Sequence, residues 1–293
     1  RPRRPRRPRR ILVLSSLKVK CTFCTIREMA KWNKLPNRGN VQDRRGISGG
    51  GLGIVGVIAI LGLTYLTGGD VLNTALQLGT QELSQNNLTE EQLAEFEGVD
   101  EYEEFASIVL GSLDEYWQSQ YGNYSPATLV LFRNQTNSAC GGAQSVIGPH
   151  YCPLDETIYL DETFFEQLKS RFGARGGDVA EAYVIAHEVG HHIQYLQDEL
   201  DGRRDNERQV EIELTADCYA GAWAGSIADQ GVFEPGEVIE ALDAAAAVGD
   251  DNIQRRTTGT VQPDSFTHGS SQQRRNAYTL GYQNPDDPSM CLN

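Results

Sequence analysis

Two histidines and a glutamate in the run His187-Glu188-Val189-Gly190-His191 are spaced for metal chemistry. Four residues is just over one helical turn, so on a helix both imidazoles project from one face. As neutral nitrogens they can bind one Zn²⁺ there. Glu188 sits beside the first ligand, where it can reach water at such an ion and take its proton as general base. Three of the five histidines in the chain fall at 187, 191 and 192, and Val184, Ile185 and Val189 surround them. That setting argues against a pair of solvated surface histidines.

A catalytic zinc takes three protein ligands and keeps one position open. The third ligand is expected at Glu213, in the run Glu211-Ile-Glu213-Leu-Thr-Ala-Asp217. It lies 22 residues after His191. That is room for the first helix to end, a loop to turn at Asp201-Gly202 and a second helix to return. Glu213 and Asp217 are i, i+4 and share a face. One carboxylate can ligate, and the other can accept the N–H of a ligating histidine and fix its tautomer. Glu211 competes as ligand but lies on a different face from Asp217. His192 is rotated by about 100° from His191 and is not expected to ligate. His268, in the polar run Phe266-Thr-His-Gly-Ser-Ser, is the candidate for stabilising an oxyanion opposite the metal. An outer-sphere or surface role for it is weighed alongside. His150 reads as structural.

The elements that must position these residues follow from periodicity. A helix is expected from Asp178 to about Leu196 and another from about Asn206 to Ala228, with a third after Pro235 through the alanines at 244–247. Residues 70–120 read as helical, with a helix start at Thr89-Glu90-Glu91-Gln92. Thr128–Phe132 and Thr157–Asp161 read as strands, Ser138–Pro149 as a Gly-rich loop and Thr163–Phe172 as a helix. This makes one α+β domain, mainly helical with a small sheet.

Asn40-Val-Gln-Asp-Arg-Arg45, Cys140-Gly, Gly148-Pro, Tyr151-Cys152-Pro, His187-Glu-Val-Gly-His-His192, Glu213-Leu-Thr-Ala-Asp-Cys218 and Thr267-His-Gly-Ser-Ser-Gln-Gln-Arg274 together resemble the bacterial neutral zinc metallopeptidases of the YpfJ type. The resemblance runs from about Met29 to Cys291. It implies a zincin-like fold, one catalytic zinc and Glu213 as third ligand. It also implies that the strand 157–161 pairs as an edge with an extended peptide; a core strand is the equal alternative from the residues themselves.

Charge is distributed unevenly. Of 26 Lys+Arg and 40 Asp+Glu, residues 1–46 hold 15 and two, leaving 11 against 38 for the rest. The acidic body excludes nucleic acid as the main partner, since phosphate calls for Lys and Arg. The Pro/Arg repeat at 1–10 cannot bury apolar surface and is expected to be disordered. Met29 reads as a more natural start, so 1–28 is read as upstream sequence without function, including Cys21 and Cys24. Gly46 to Gly69 carries no charge over 24 residues, against the roughly 20 needed to cross a bilayer. No small-residue cleavage site follows at Gly68-Gly69-Asp70-Val71, which favours an anchor over a signal peptide. With Lys31, Lys34, Arg38, Arg44 and Arg45 before it, the positive-inside rule places the N-terminus in the cytoplasm. The expected organisation is a basic, disordered cytoplasmic segment at 1–46, a single transmembrane helix at 47–69, and an extracytoplasmic zinc metallopeptidase domain at 70–293. Cys140, Cys152, Cys218 and Cys291 allow three pairings; proximity favours Cys140 with Cys152, leaving Cys218 with Cys291, and buried free thiols are the alternative.

The expected function is hydrolysis of a peptide or protein substrate at a membrane-anchored zinc site. Two alternatives stand beside it: a scaffold protein with a non-catalytic zinc, and a zinc amidase acting on cell-wall peptides.

Overall fold

The computed structural model describes residues 30–45, 100–145, 147–200, 202–203, 205–234 and 236–292. The expectations for residues 1–28, for the apolar stretch 47–69 and for helices within 70–99 lie outside these. The architecture is α+β, with most described residues in helices.

A four-stranded sheet has the order β1-β2-β6-β5, with β1 at Val41–Asp43, β2 at Thr128–Leu131, β6 at Thr157–Leu160 and β5 at His150–Cys152. β1, β2 and β6 run parallel, and β5 is an antiparallel edge. The Gly-rich loop is more regular than expected. It holds a hairpin of β3 (Gln135–Ser138) and β4 (Gly141–Gln144), which helps close a small second core of Val130, Phe132, Ala143, Cys152 and Tyr159. β6 is buried at every position and lies between β2 and β5. The edge-strand role expected for 157–161 is therefore incorrect; the edges of the sheet are β1 and β5.

Seven α-helices are described: α1 (Glu101–Gln120), α2 (Phe164–Ser170), α3 (Asp178–Leu196), α4 (Asn206–Ala228), α5 (Val238–Ala247), α6 (Asp250–Thr257) and α7 (Ser271–Gln283). Local chemistry explains their starts. Asp100 caps α1 through Glu103 N–H, Asp205 caps α4 through Arg208 N–H, and Ser270 with Gln273 forms a capping box on α7. α3 starts behind Gly177, whose φ of 124° suits glycine alone. α3 and α4 begin and end where periodicity placed them. α6 and α7 escape a periodicity reading because they are polar.

The basic segment needs correction. Within residues 30–45, Ala30, Trp32 and Leu35 are buried in the core. Trp32 is buried between Phe105, Trp223 and Phe233, and its indole N–H donates to Asp178 at 2.7 Å. The Ala30 amide donates to the same carboxylate oxygen, so this segment braces the first residue of α3. Arg45 is 7% exposed and pairs with Asp43, Asp100 and Glu162, which joins β1, the cap of α1 and the start of α2. Several charges read as a membrane signal thus have structural partners: Arg45 these three, Arg38 Glu104 and Lys31 Glu234.

The two flanks of residues 46–99 consequently belong to one folded body. A single crossing by 47–69 would put the hydrogen-bonded strands β1 and β2 on opposite faces of a membrane. Among the described residues no helix is long and apolar enough to cross a membrane. Both cysteine pairs form as disulfides, Cys140–Cys152 and Cys218–Cys291.

Glu181, on α3 near the half-buried Tyr102, has its pKa raised to about 7 from 4.5, chiefly by burial and further by Asp178, Glu166 and Glu162, with Lys169 opposing. A carboxyl with a raised folded-state pKa contributes stability below pH 4.5 that is lost as pH climbs through 7. Glu181→Gln should therefore raise the Tm at pH 8 by about 2–4 °C and leave it unchanged at pH 4.5, read by thermal unfolding.

Candidate metal centre

α3 supplies His187, Glu188 and His191 from one buried stretch, and α4 supplies Glu213. The helices meet at Gly190, where an added Cβ would lie 2.9 Å from the Ala216 Cα. That close approach carries the Glu213 carboxylate to the histidines. Its Oε2 lies 3.2 Å from His187 Nε2 and its Oε1 3.6 Å from His191 Nε2. The imidazole rings stand 4.8 Å apart and nearly perpendicular. The three side chains can place one ligand atom each within 4.8 Å of the others, and they form the only such group among the described residues. Two imidazole nitrogens and a carboxylate oxygen, with room beyond, fit a catalytic zinc.

Neighbouring groups orient the ligands. The His187 Nδ1 is 2.9 Å from Asp217 Oδ1, which fixes Nε2 as the metal-facing nitrogen. Burial disfavours a charged His187, but the hydrogen bonds to Asp217 and Glu213 outweigh it and raise its pKa to about 10. Glu213 moves the other way: burial alone would raise its pKa, and His187, His191 and Arg274 hold it well below the ordinary carboxylate range. Asp217, expected from sequence behind a ligand, is fully buried and hydrogen-bonds to His187. The competing Glu211 points away, half exposed and paired with Arg203 and Arg208. His192 is no ligand either; it is fully buried, with Nε2 donating to the Ser125 carbonyl and Nδ1 accepting from the Tyr151 hydroxyl. The Tyr151 bond ties β5 to α3, and the Ser125 bond ties the loop before β2 to it.

The cluster opens into a cleft of about 1020 Å³, whose walls include Glu188, His150, Tyr151, Phe164, Val184 and His268. His268 is half exposed, and its Nδ1 lies 3.2 Å from Asp250 Oδ1. That bond raises its pKa, with burial opposing. The Asp250 Oδ2 accepts from the amides of Thr267, His268 and Gly269, so the loop carrying His268 is fixed at the start of α6.

Residues 30–292 match the family model described as "Putative neutral zinc metallopeptidase". The chain belongs to this family. It is 38% identical to "Uncharacterized protein YpfJ" of Escherichia coli (strain K12), over 89% of this chain and 97% of that one. It is 43% identical to "Uncharacterized protein Rv2575" of Mycobacterium tuberculosis (strain ATCC 25618 / H37Rv), over 61% of this chain and 66% of that one. No solved structure matches the chain. The family implies zinc, and the His187–His191–Glu213 group supplies a site for it.

Sequence reasoning missed three contributors to this family member's site. Gln194 accepts from His191 Nδ1–H and donates to the Ile212 carbonyl, so it orients a ligand and links α3 to α4. Its i+3 offset from His191 was a usable signal. Arg274 and Tyr183 both reach Asp217, but no spacing rule connects Arg274 with a residue 57 positions earlier. Gly190→Val should push α4 from α3 and lower zinc affinity at least about ten-fold, measured by competition with a chelating dye; unchanged affinity would disprove the role given to the helix contact.

Proposed function

We propose that the domain is a zinc-dependent endopeptidase of zincin-like design, hydrolysing peptide bonds in the cleft beside His187 and His191. The observation that carries this reading is Glu188, 6% exposed and lining the cleft directly beside a ligand. A site that only holds a metal for structure has no use for a base there, which weighs against the scaffold reading.

When bound at His187, His191 and Glu213, zinc supplies Lewis acidity, polarising a carbonyl and bringing the pKa of water toward about 7. Glu188 takes the proton from the attacking water and delivers it to the departing amine. His268 gives its Nδ1 hydrogen to Asp250, which favours its charged form, and the second hydrogen of that imidazolium, on Nε2, is offered to the oxyanion of the tetrahedral intermediate. The edge of β5, near the cluster and joined to the β3–β4 hairpin by the Cys140–Cys152 disulfide, offers backbone groups to an extended peptide. A cell-wall peptide amidase would use the same groups, and only the substrate separates the two.

Two disulfides support an extracytoplasmic setting. In this proposal the stretch 47–69 tethers the domain to the membrane with both flanks on the domain's side. Cysteines placed at the exposed Asn33 and Gln272 should then react with an impermeant thiol reagent from the same outer face; labelling from opposite faces would refute this topology.

Zinc-loaded protein should cleave members of a peptide library, and a chelator should stop it. Glu188→Ala should keep its zinc by elemental analysis and lose about 10²- to 10⁴-fold in rate. Undiminished cleavage by that metal-loaded variant would end the mechanism.

A further inference from the structure

We propose that Arg274 is a positioning residue for the metal site, setting zinc affinity by holding the Asp217 carboxylate that orients His187. Arg274 enters from α7, near the far end of the chain, and is 3% exposed. Its Nε donates to Asp217 Oδ2 at 2.7 Å and its Nη2 to Asp217 Oδ1 at 2.9 Å. This fork fixes the plane of the carboxylate as well as its charge, which a lysine ammonium cannot do.

The fixed plane has a consequence at the ligand. Asp217 Oδ1 also receives the Tyr183 hydroxyl at 2.5 Å and lies 2.9 Å from His187 Nδ1. Tyr183 in turn accepts from Arg274 Nη2 at 3.2 Å, closing the network. Arg274 Nη2 lies 3.4 Å from His187 Nδ1, but a guanidinium only donates, so the His187 N–H is directed to Asp217. His187 Nε2 is thereby left as the metal-facing atom. The same guanidinium is 3.8 Å from Glu213 Oε2, close enough to attract its charge and beyond hydrogen-bond reach. The Glu213 oxygens stay available to the ion.

The reach of Arg274 depends on how α7 lies on α4. A methyl at Gly221 or Gly281 would overlap the opposing backbone, so the two helices are in backbone contact. Cys218, next to Asp217, is bonded to Cys291 just beyond α7. A carboxylate at zero exposure needs a paired charge, and Arg274 supplies it.

The inference rests on the zinc site and not on hydrolysis, so its test reads metal binding in the full chain. Zinc dissociation constants would be measured by chelator competition, and Tm with and without zinc. Arg274→Met should lose about 10- to 100-fold in zinc affinity, and Arg274→Lys at least about five-fold, since it restores charge without the fork. The zinc-induced rise in Tm should shrink in step. In an Asp217→Asn background, Arg274→Lys should add less than about two-fold, because both changes act through one contact. Wild-type zinc affinity in Arg274→Lys, or losses that simply multiply in the double variant, would overturn the proposal. A lower Tm with unchanged zinc affinity would mark Arg274 as a structural clamp only and would overturn it equally.

Discussion

Where α3 crosses α4, Gly190 faces the backbone of Ala216 with no side chain between them. Everything at the metal centre depends on that contact. His187 and His191 are set by one helix and can face one point without help, but Glu213 belongs to another helix and must be delivered. The missing Cβ lets the helix axes approach until a short glutamate side chain spans the gap. Gln194 then stitches the same crossing from the other side, holding His191 while bonding the Ile212 carbonyl.

Around this crossing the chain arranges buried charges in pairs. Asp217 and Arg274 are nearly inaccessible and occupy one network with Tyr183 and His187. Arg45 does the same work at the N-terminal end, joining three carboxylates from three parts of the fold. Such pairs are costly to desolvate and worse to break, so they hold geometry more than they add stability. Geometry is what a metal site needs, because a ligand misplaced by an ångström loses the ion.

The N-terminal segment gains a meaning that its charge concealed. Lys31, Arg38 and Arg45 looked like a signal read by a membrane. In the fold they meet Glu234, Glu104 and the Asp43–Asp100–Glu162 group, while Trp32 and the Ala30 amide fasten onto Asp178 at the start of the metal helix. Strand β1 extends the sheet beside β2. The metal helix is thus held at its first residue by a segment 148 positions earlier in the chain.

The sequence alone determined whatever depends on neighbours along the chain. The i, i+4 spacing put His187 with His191 and Glu213 with Asp217 on shared faces, and caps and periodicity bounded α3 and α4. Proximity favoured the Cys140–Cys152 bond. Tertiary structure decided what depends on distance through space. It made β5 an edge and buried β6, because strand order is set by which strands pair and not by their composition. It gave Lys31, Arg38 and Arg45 carboxylate partners within the fold, since a charge pattern does not record where its counter-charges lie. It brought Arg274 to Asp217 across 57 residues, through helices whose glycines permit backbone contact. Local rules see one turn of helix; the metal centre is assembled from two helices and held by a third.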